Sequence, residues 1–318
     1  MRQLTALSVL IATLGIADVR AQTPSSPPAY TPVRWNENYS YLRDKPGDDF
    51  FDPIKYIPLG PEGWFASLGG QARFRYEYFN NENFGAVQND EGYFLQRYLL
   101  HADLHFGPHV RVFAQGKSAL VDDGREAPAT ARPIDGDHLD LQQLFIDFRL
   151  PLDGSDALTL RVGRQDLIYG AQRLISPLDW TNVRRTFDGS KLSLSLGRHT
   201  IDAFLVQPVV VEDREFNERN RDVTFGGIYD TINLPQLLPG GNTRLELYAL
   251  GLWTRTGIDN DIYTLGTRFS SQPKPWDFDV ELDYQFGTAG AAGIFAVLGG
   301  RGGGGTVAER AAPPPPLP

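Results

Sequence analysis

Apolar and polar residues alternate with a period of two from Trp64 almost to Gly287. In the first run Ala66, Leu68, Gly70, Ala72, Phe74, Tyr76 and Tyr78 share one parity. Ser67, Gly69, Gln71, Arg73, Arg75 and Glu77 share the other. Side chains alternate across a strand, so one face is apolar and the opposite one charged. Further runs follow at 93–106, 109–120, 139–150, 157–166, 190–197, 199–210, 222–232, 243–255, 261–270 and 277–287. The second sets Phe94, Tyr98, Leu100 and Leu104 against Arg97, His101, Asp103 and His105. The last sets Phe278, Val280, Leu282 and Tyr284 against Asp279, Glu281 and Asp283. The chain is therefore expected to be all-β.

Two architectures accommodate such strands. A soluble sandwich buries the apolar face and wets the polar one. A membrane barrel turns the apolar face to lipid and lines a wet lumen with the polar one. Run lengths near ten residues fit strands that cross a bilayer at a tilt. The connections sort by length: long at 80–92, 121–138, 167–189 and 211–221, short at Gly107–Pro108, Pro151–Asp156 and Gly197–Arg198. Short turns on one rim and long loops on the other are the asymmetry of outer-membrane barrels. Aromatics near strand ends (Tyr76, Tyr78, Phe106, Trp253, Trp276, Phe286) match an interfacial girdle. The expected fold is a transmembrane antiparallel β-barrel with about 11 strands present. A secreted soluble β-protein that binds glycans is the alternative.

Composition narrows the picture. Hydrophobic residues make up 41% of 318, and mean hydropathy is −0.30, which fits a barrel whose strands are half polar. There is no cysteine, so disulfides, thiolate metal sites and Cys nucleophiles are excluded. A net charge of −9 argues against a nucleic-acid partner. Of the 30 basic residues, 25 are Arg, the side chain suited to bidentate carboxylate contact. Residues 1–21 read as a secretory signal: Arg2, an apolar stretch from Leu4 to Ala17, and small residues at Val19 and Ala21 before the cut. Residues 22–62, rich in Pro and aromatics, read as a periplasmic segment whose stretch Phe50–Leu59 docks near the barrel entrance, and 63–287 as the barrel. Residues 288–318 are Gly, Ala, Arg and Pro without alternation, and are expected to be a disordered or frameshifted tail replacing the closing strands.

No catalytic set stands out. His101 and His105 share a strand face but lie about 13 Å apart, too far for one metal. Neither a G-x-S-x-G element nor a phosphate-binding Gly loop occurs. No enzyme activity and no cofactor is expected. The lumen parity is more informative. Through the first six runs it carries Arg73, Arg75, Arg97, Arg111, Lys117, Arg149, Arg161 and Lys191 against Glu77, Asp103 and Asp147. In later runs Asp202, Glu246, Asp279, Glu281 and Asp283 outnumber Arg244 and Arg268. The segment 163–189 concentrates Arg164, Arg173, Arg184 and Arg185 with Asp166, Asp179, Asp188 and Trp180. It reads either as a loop folded into the barrel or as a self-paired surface loop.

Several motifs resemble the alginate-export outer-membrane proteins over about 55–287. They are Gly70-x-x-Arg73-x-Arg75-Tyr76-Glu77, Gln96-Arg97, His101-Ala102-Asp103, Val112-Phe113-Ala114-Gln115 and Val162-Gly163-Arg164-Gln165-Asp166-Leu167. Tyr169-Gly170, Arg173-Leu174, Asn182-Val183-Arg184-Arg185 and Phe187-Asp188-Gly189 complete the set. The resemblance implies a barrel of about 18 strands in the outer membrane, with an Arg-lined pore for anionic polysaccharide. It implies outer-membrane lipid and periplasmic export machinery as partners. Arg73, Arg75, Arg97, Arg161, Arg164, Arg173, Arg184 and Arg185 are the expected substrate-path residues. An uptake porin for small solutes is the alternative within this class.

Overall fold

The computed structural model describes residues 30–31, 33–44, 47, 49–80, 90–122, 132, 134–235, 241–255, 260–272, 276–289 and 292–306. The expected signal at 1–21 lies outside them. One antiparallel sheet runs in strict sequence order. A short β1 (Ile57–Pro58) precedes twelve long strands: β2 (Trp64–Asn80), β3 (Asp90–Phe106), β4 (Val110–Asp122), β5 (Asp137–Pro151), β6 (Ala157–Gln165) and β7 (Phe187–Leu196). The sheet continues with β8 (His199–Pro208), β9 (Val223–Leu234), β10 (Thr243–Thr254), β11 (Asn260–Ser271), β12 (Trp276–Ala289) and β13 (Ala292–Thr306). Among the described residues the sheet is not closed. β13 pairs with β12, and the other edge of β2 carries only β1, at Phe65 and Ala66.

The two faces are inverted relative to a water-soluble protein. Phe74, Tyr76, Leu100, Phe148, Leu205, Ile228 and Leu282 are exposed on the outer face, with Leu100 74% accessible. On the inner face Arg97, Asp103, Gln115, Gln143, Asp147 and Glu246 are buried. A soluble sandwich would bury the large apolar side chains and wet the charges. Lipid outside and a polar interior account for the inversion. Tight turns at Gly107 and Gly197, with φ of +68° and +60°, close two hairpins on the short-turn rim. A register shift between β4 and β5 at Gln115/Gly116 buries both Gln142 and Gln143, as a bulge does.

Two segments depart from the sequence-based expectation. Residues past Gly287 were expected not to pair, yet Ala292–Thr306 forms β13, paired with β12 from Ala289 to Trp276 with a register shift between Gln285 and Gly287. Ladder bonds are made by the backbone, so a Gly-rich stretch can pair without showing any side-chain parity. Ile57 and Pro58 pair with Ala66 and Phe65 near the short-turn rim, but the N-terminal residues around Trp35 lie deeper. Trp35 packs against Phe113 and Phe145 on the inner face, and Arg34 donates to the carbonyl of Gly70 at 3.1 Å. Short helical turns at Arg34–Asn36 and Ser40–Arg43 and a one-turn α1 (Asp52–Lys55) fold this segment on itself. Tyr39, Tyr41, Leu42 and Tyr56 form its small core.

Candidate functional site: a constriction inside the barrel

The β6–β7 connection, residues 166–186, folds inward and crosses the interior. Its apolar residues explain one attachment. Leu167 and Ile175 join Phe204, Val206, Tyr229, Tyr248 and Leu250 of β8–β10 in a buried cluster. Tyr169 stacks on Tyr229 at 4.5 Å, and Tyr229 on Tyr248 at 4.9 Å. The three phenols donate to Asp202, Glu246 and Asp283 at 2.7, 2.7 and 2.6 Å. Burial and Asp202 push the Tyr169 phenol well above its ordinary range. Gly170 turns the chain at φ +56°, where a Cβ would lie 2.9 Å from the Tyr229 hydroxyl. Gln172 and Leu178 also take positive φ. Such conformations cost about 1–2 kcal/mol each for residues with a Cβ, and they persist where surrounding contacts fix them.

Those contacts are polar. Arg73 donates to the carbonyls of Asp179 (2.6 Å) and Thr181. Arg75 donates to the carbonyl of Trp180 and pairs with Glu77. Arg97, 1% accessible, reaches the carbonyls of Asp179 and Thr181 at 3.1 Å and the Asp179 carboxylate at 2.9 Å. Arg184 pairs with Asp166 at 2.5 Å and stands 3.6 Å from Asp179. Burial raises the Asp166 pKa, and Arg184 opposes the shift. Asn182 ties the loop to the carbonyls of Gln96 and Leu120. On the opposite side Arg173 donates to Asp279 (3.0 Å) and Glu281 (2.5 Å) of β12. The bond to Glu281 raises the Arg173 pKa further, against desolvation. The loop is thus strung between β2–β3 and β12.

The structure gathers Arg73, Arg75, Arg97 and Arg184 at this loop and disperses the other expected path residues. Arg161 forms a two-point pair with Asp147 at 2.7 and 2.8 Å and lies 3.7 Å over the Phe145 ring. Arg164 bonds Asp188, Asp140 and the carbonyl of Asn217, fastening the β8–β9 connection. Arg173 stands at the acidic wall. Arg185 is exposed on the loop. Elsewhere on the wall, cations face carboxylates: Arg111–Asp103 (2.7 Å), Lys117–Asp137 (2.8 Å), Lys191–Asp202 (3.2 Å) and Arg268–Asp279 (2.7 Å). Sequence reasoning missed the Tyr169–Tyr229–Tyr248 stack. Its visible signal was Tyr229 and Tyr248 standing at inner parity beside acids in otherwise weak runs.

An antiparallel meander that is apolar outside and charged inside, with a loop drawn across the interior, defines an outer-membrane β-barrel of the channel class. More particularly, the chain belongs to the alginate export family, whose sequence profile matches residues 65–308. Its place is the outer membrane, and the family's proteins are channels rather than enzymes. No curated protein matches the chain. Among solved structures, a BenF-like porin from Pseudomonas fluorescens Pf-5 is similar at 15% identity and a TM-score of 0.42, over 72% of this chain and 68% of that one. OccAB1 of Acinetobacter baumannii is similar at 9% identity and 0.42, over 76% and 69%. OccK2 (OpdF) of Pseudomonas aeruginosa, in complex with glucuronate, is similar at 14% identity and 0.40, over 69% and 63%. The assignment rests on the family match and on the chain's own faces, not on these three.

Proposed function

We propose that the protein passively conducts anionic sugar polymers or small anionic solutes, with the inward loop as its selectivity element. One observation carries the reading. The Arg73 guanidinium is held through its two terminal nitrogens by carbonyl oxygens, which accept hydrogen bonds without cancelling its charge. Arg75, Arg97 and Arg184 stand beside it and Arg185 is exposed on the same loop, against the carboxylates of Glu77, Asp166 and Asp179. The β2–β3 side of the constriction therefore holds excess positive charge, facing the acidic β12 wall, inside a protein of net charge −9. In a narrow passage a wall of one sign focuses the field and raises the local concentration of counter-ions. Successive carboxylates of a polyuronate are the complementary cargo. Arg161, Arg164 and Arg173 contribute as fixed charges along the way rather than as free clamps. Export would be driven by periplasmic machinery meeting the short-turn rim.

The test is the reversal potential of the reconstituted protein in a salt gradient, followed by titration with oligouronates. Anion selectivity and block that tightens with oligomer length are the expected results. Cation selectivity overturns the proposal, and block by monomers alone would favour uptake of small solutes.

A further inference from the structure

We infer that the N-terminal segment Tyr30–Tyr56 is a tethered plug, seated on the inner wall of β2–β5 and displaced from it when the channel opens. This rests on the channel reading above. The seat lies in the path. Gly70, which accepts from Arg34, is six residues in from Trp64 at the short-turn rim, about 20 Å along the strand. Trp35 covers Phe113 and Phe145, and its carbonyl accepts from Arg111 at 2.6 Å. Ser67 donates to the carbonyl of Lys55, and Tyr56 stacks on Phe65 at 4.9 Å.

The segment is built to move as a unit. Its own core of Tyr39, Tyr41, Leu42 and Tyr56 is separate from the Trp35 cluster. Lys55 is held within it by the Tyr30 hydroxyl at 2.7 Å and lies over the rings of Tyr30 and Tyr39. By contrast, its grip on the wall is one indole, the Tyr56–Phe65 stack, a few bonds to carbonyls and the two-residue pairing of β1 with β2 that follows it. The connection from β1 to β2 contains Gly60 and Gly63, with φ of +109° and +79°. Hinges are a few positions that absorb large backbone changes, and glycine does so at least steric cost. Ile168 of the inward loop packs on the same Trp35–Phe113–Phe145 cluster, so plug and constriction share one patch of the inner wall. Leaving the seat uncovers Arg111 and the Phe113–Phe145 surface, and removes one support of the loop.

The chain has no cysteine, so a single thiol reports the seat. Ser67→Cys places it under Lys55, where Ser67 is 4% accessible. A charged methanethiosulfonate is the probe, with current across a planar bilayer read in parallel and heat-modifiable migration showing that the barrel has folded. In a Trp35→Ala background the thiol is expected to react at least about tenfold faster, the effect of losing a buried aromatic anchor, and open time to lengthen. Arg34→Gln, a milder change, should shift both in the same direction. Equal labelling rates and equal currents in all three folded proteins overturn the plug. Faster labelling with no current in any of them overturns the channel reading while leaving the moving segment supported.

Discussion

Removing the Arg97 guanidinium should unseat the inward loop without unfolding the barrel. In Arg97→Ala the carbonyls of Asp179 and Thr181 retain Arg73, but the Asp179 carboxylate loses its 2.9 Å partner. Stripping one member from a buried pair costs about 3–5 kcal/mol. Here the figure is reduced, because the Asp179 side chain is 31% accessible and Arg184 stands 3.6 Å away. A loss of about 2 kcal/mol is left, which multiplies the unseated fraction about 30-fold. Limited trypsinolysis after Arg184 and Arg185 in folded protein reads that fraction directly. Cleavage should accelerate by the same factor and single-channel current should become noisier. Arg97→Lys, which keeps the charge but not the planar fork, should fall between. Unchanged cleavage and unchanged current noise in Arg97→Ala would refute the view that this side chain holds the constriction.

Two further outcomes follow from the same geometry. Arg173→Gln strips one cation from Asp279 and Glu281. Stability should fall by about 1–2 kcal/mol, because Arg173 and Asp279 are partly accessible while the buried Glu281 keeps the Tyr248 hydroxyl, and the reversal potential should move toward cation permeability. Leu100→Arg, at the most exposed apolar position of β3, should cost about 2–4 kcal/mol near the bilayer midplane. Equilibrium folding into lipid vesicles measures it, and an unaltered midpoint would contradict a lipid-facing surface.

Most strands could be read from the sequence because their two faces have different solvents. Phe278, Val280, Leu282 and Tyr284 against Asp279, Glu281 and Asp283 leave β12 no other conformation. β3 was harder, since Leu95 and Leu99 are buried at inner parity among charges. A plain apolar-out rule does not foresee inner residues packed under other segments. Glycine carries no parity, so β13 gave no signal. The arginines of the site were visible as a set, but their partners were not. Arg97 and Asp179 stand 82 positions apart, and no local pattern links them. The same holds for Trp35 and Phe113, whose meeting depends on where the N-terminal segment enters.

The loop's two anchorages have a mechanical consequence. Arg173 grips the twelfth strand and Asp179 the second and third, so opposite sides of the wall are tied by a cord of six residues, about 20 Å when taut. The bore is then set by cord length rather than by strand number alone. Each residue spliced into that cord would let the walls part by up to about 3.5 Å, which makes the width of the passage adjustable without altering a single rung of the ladder.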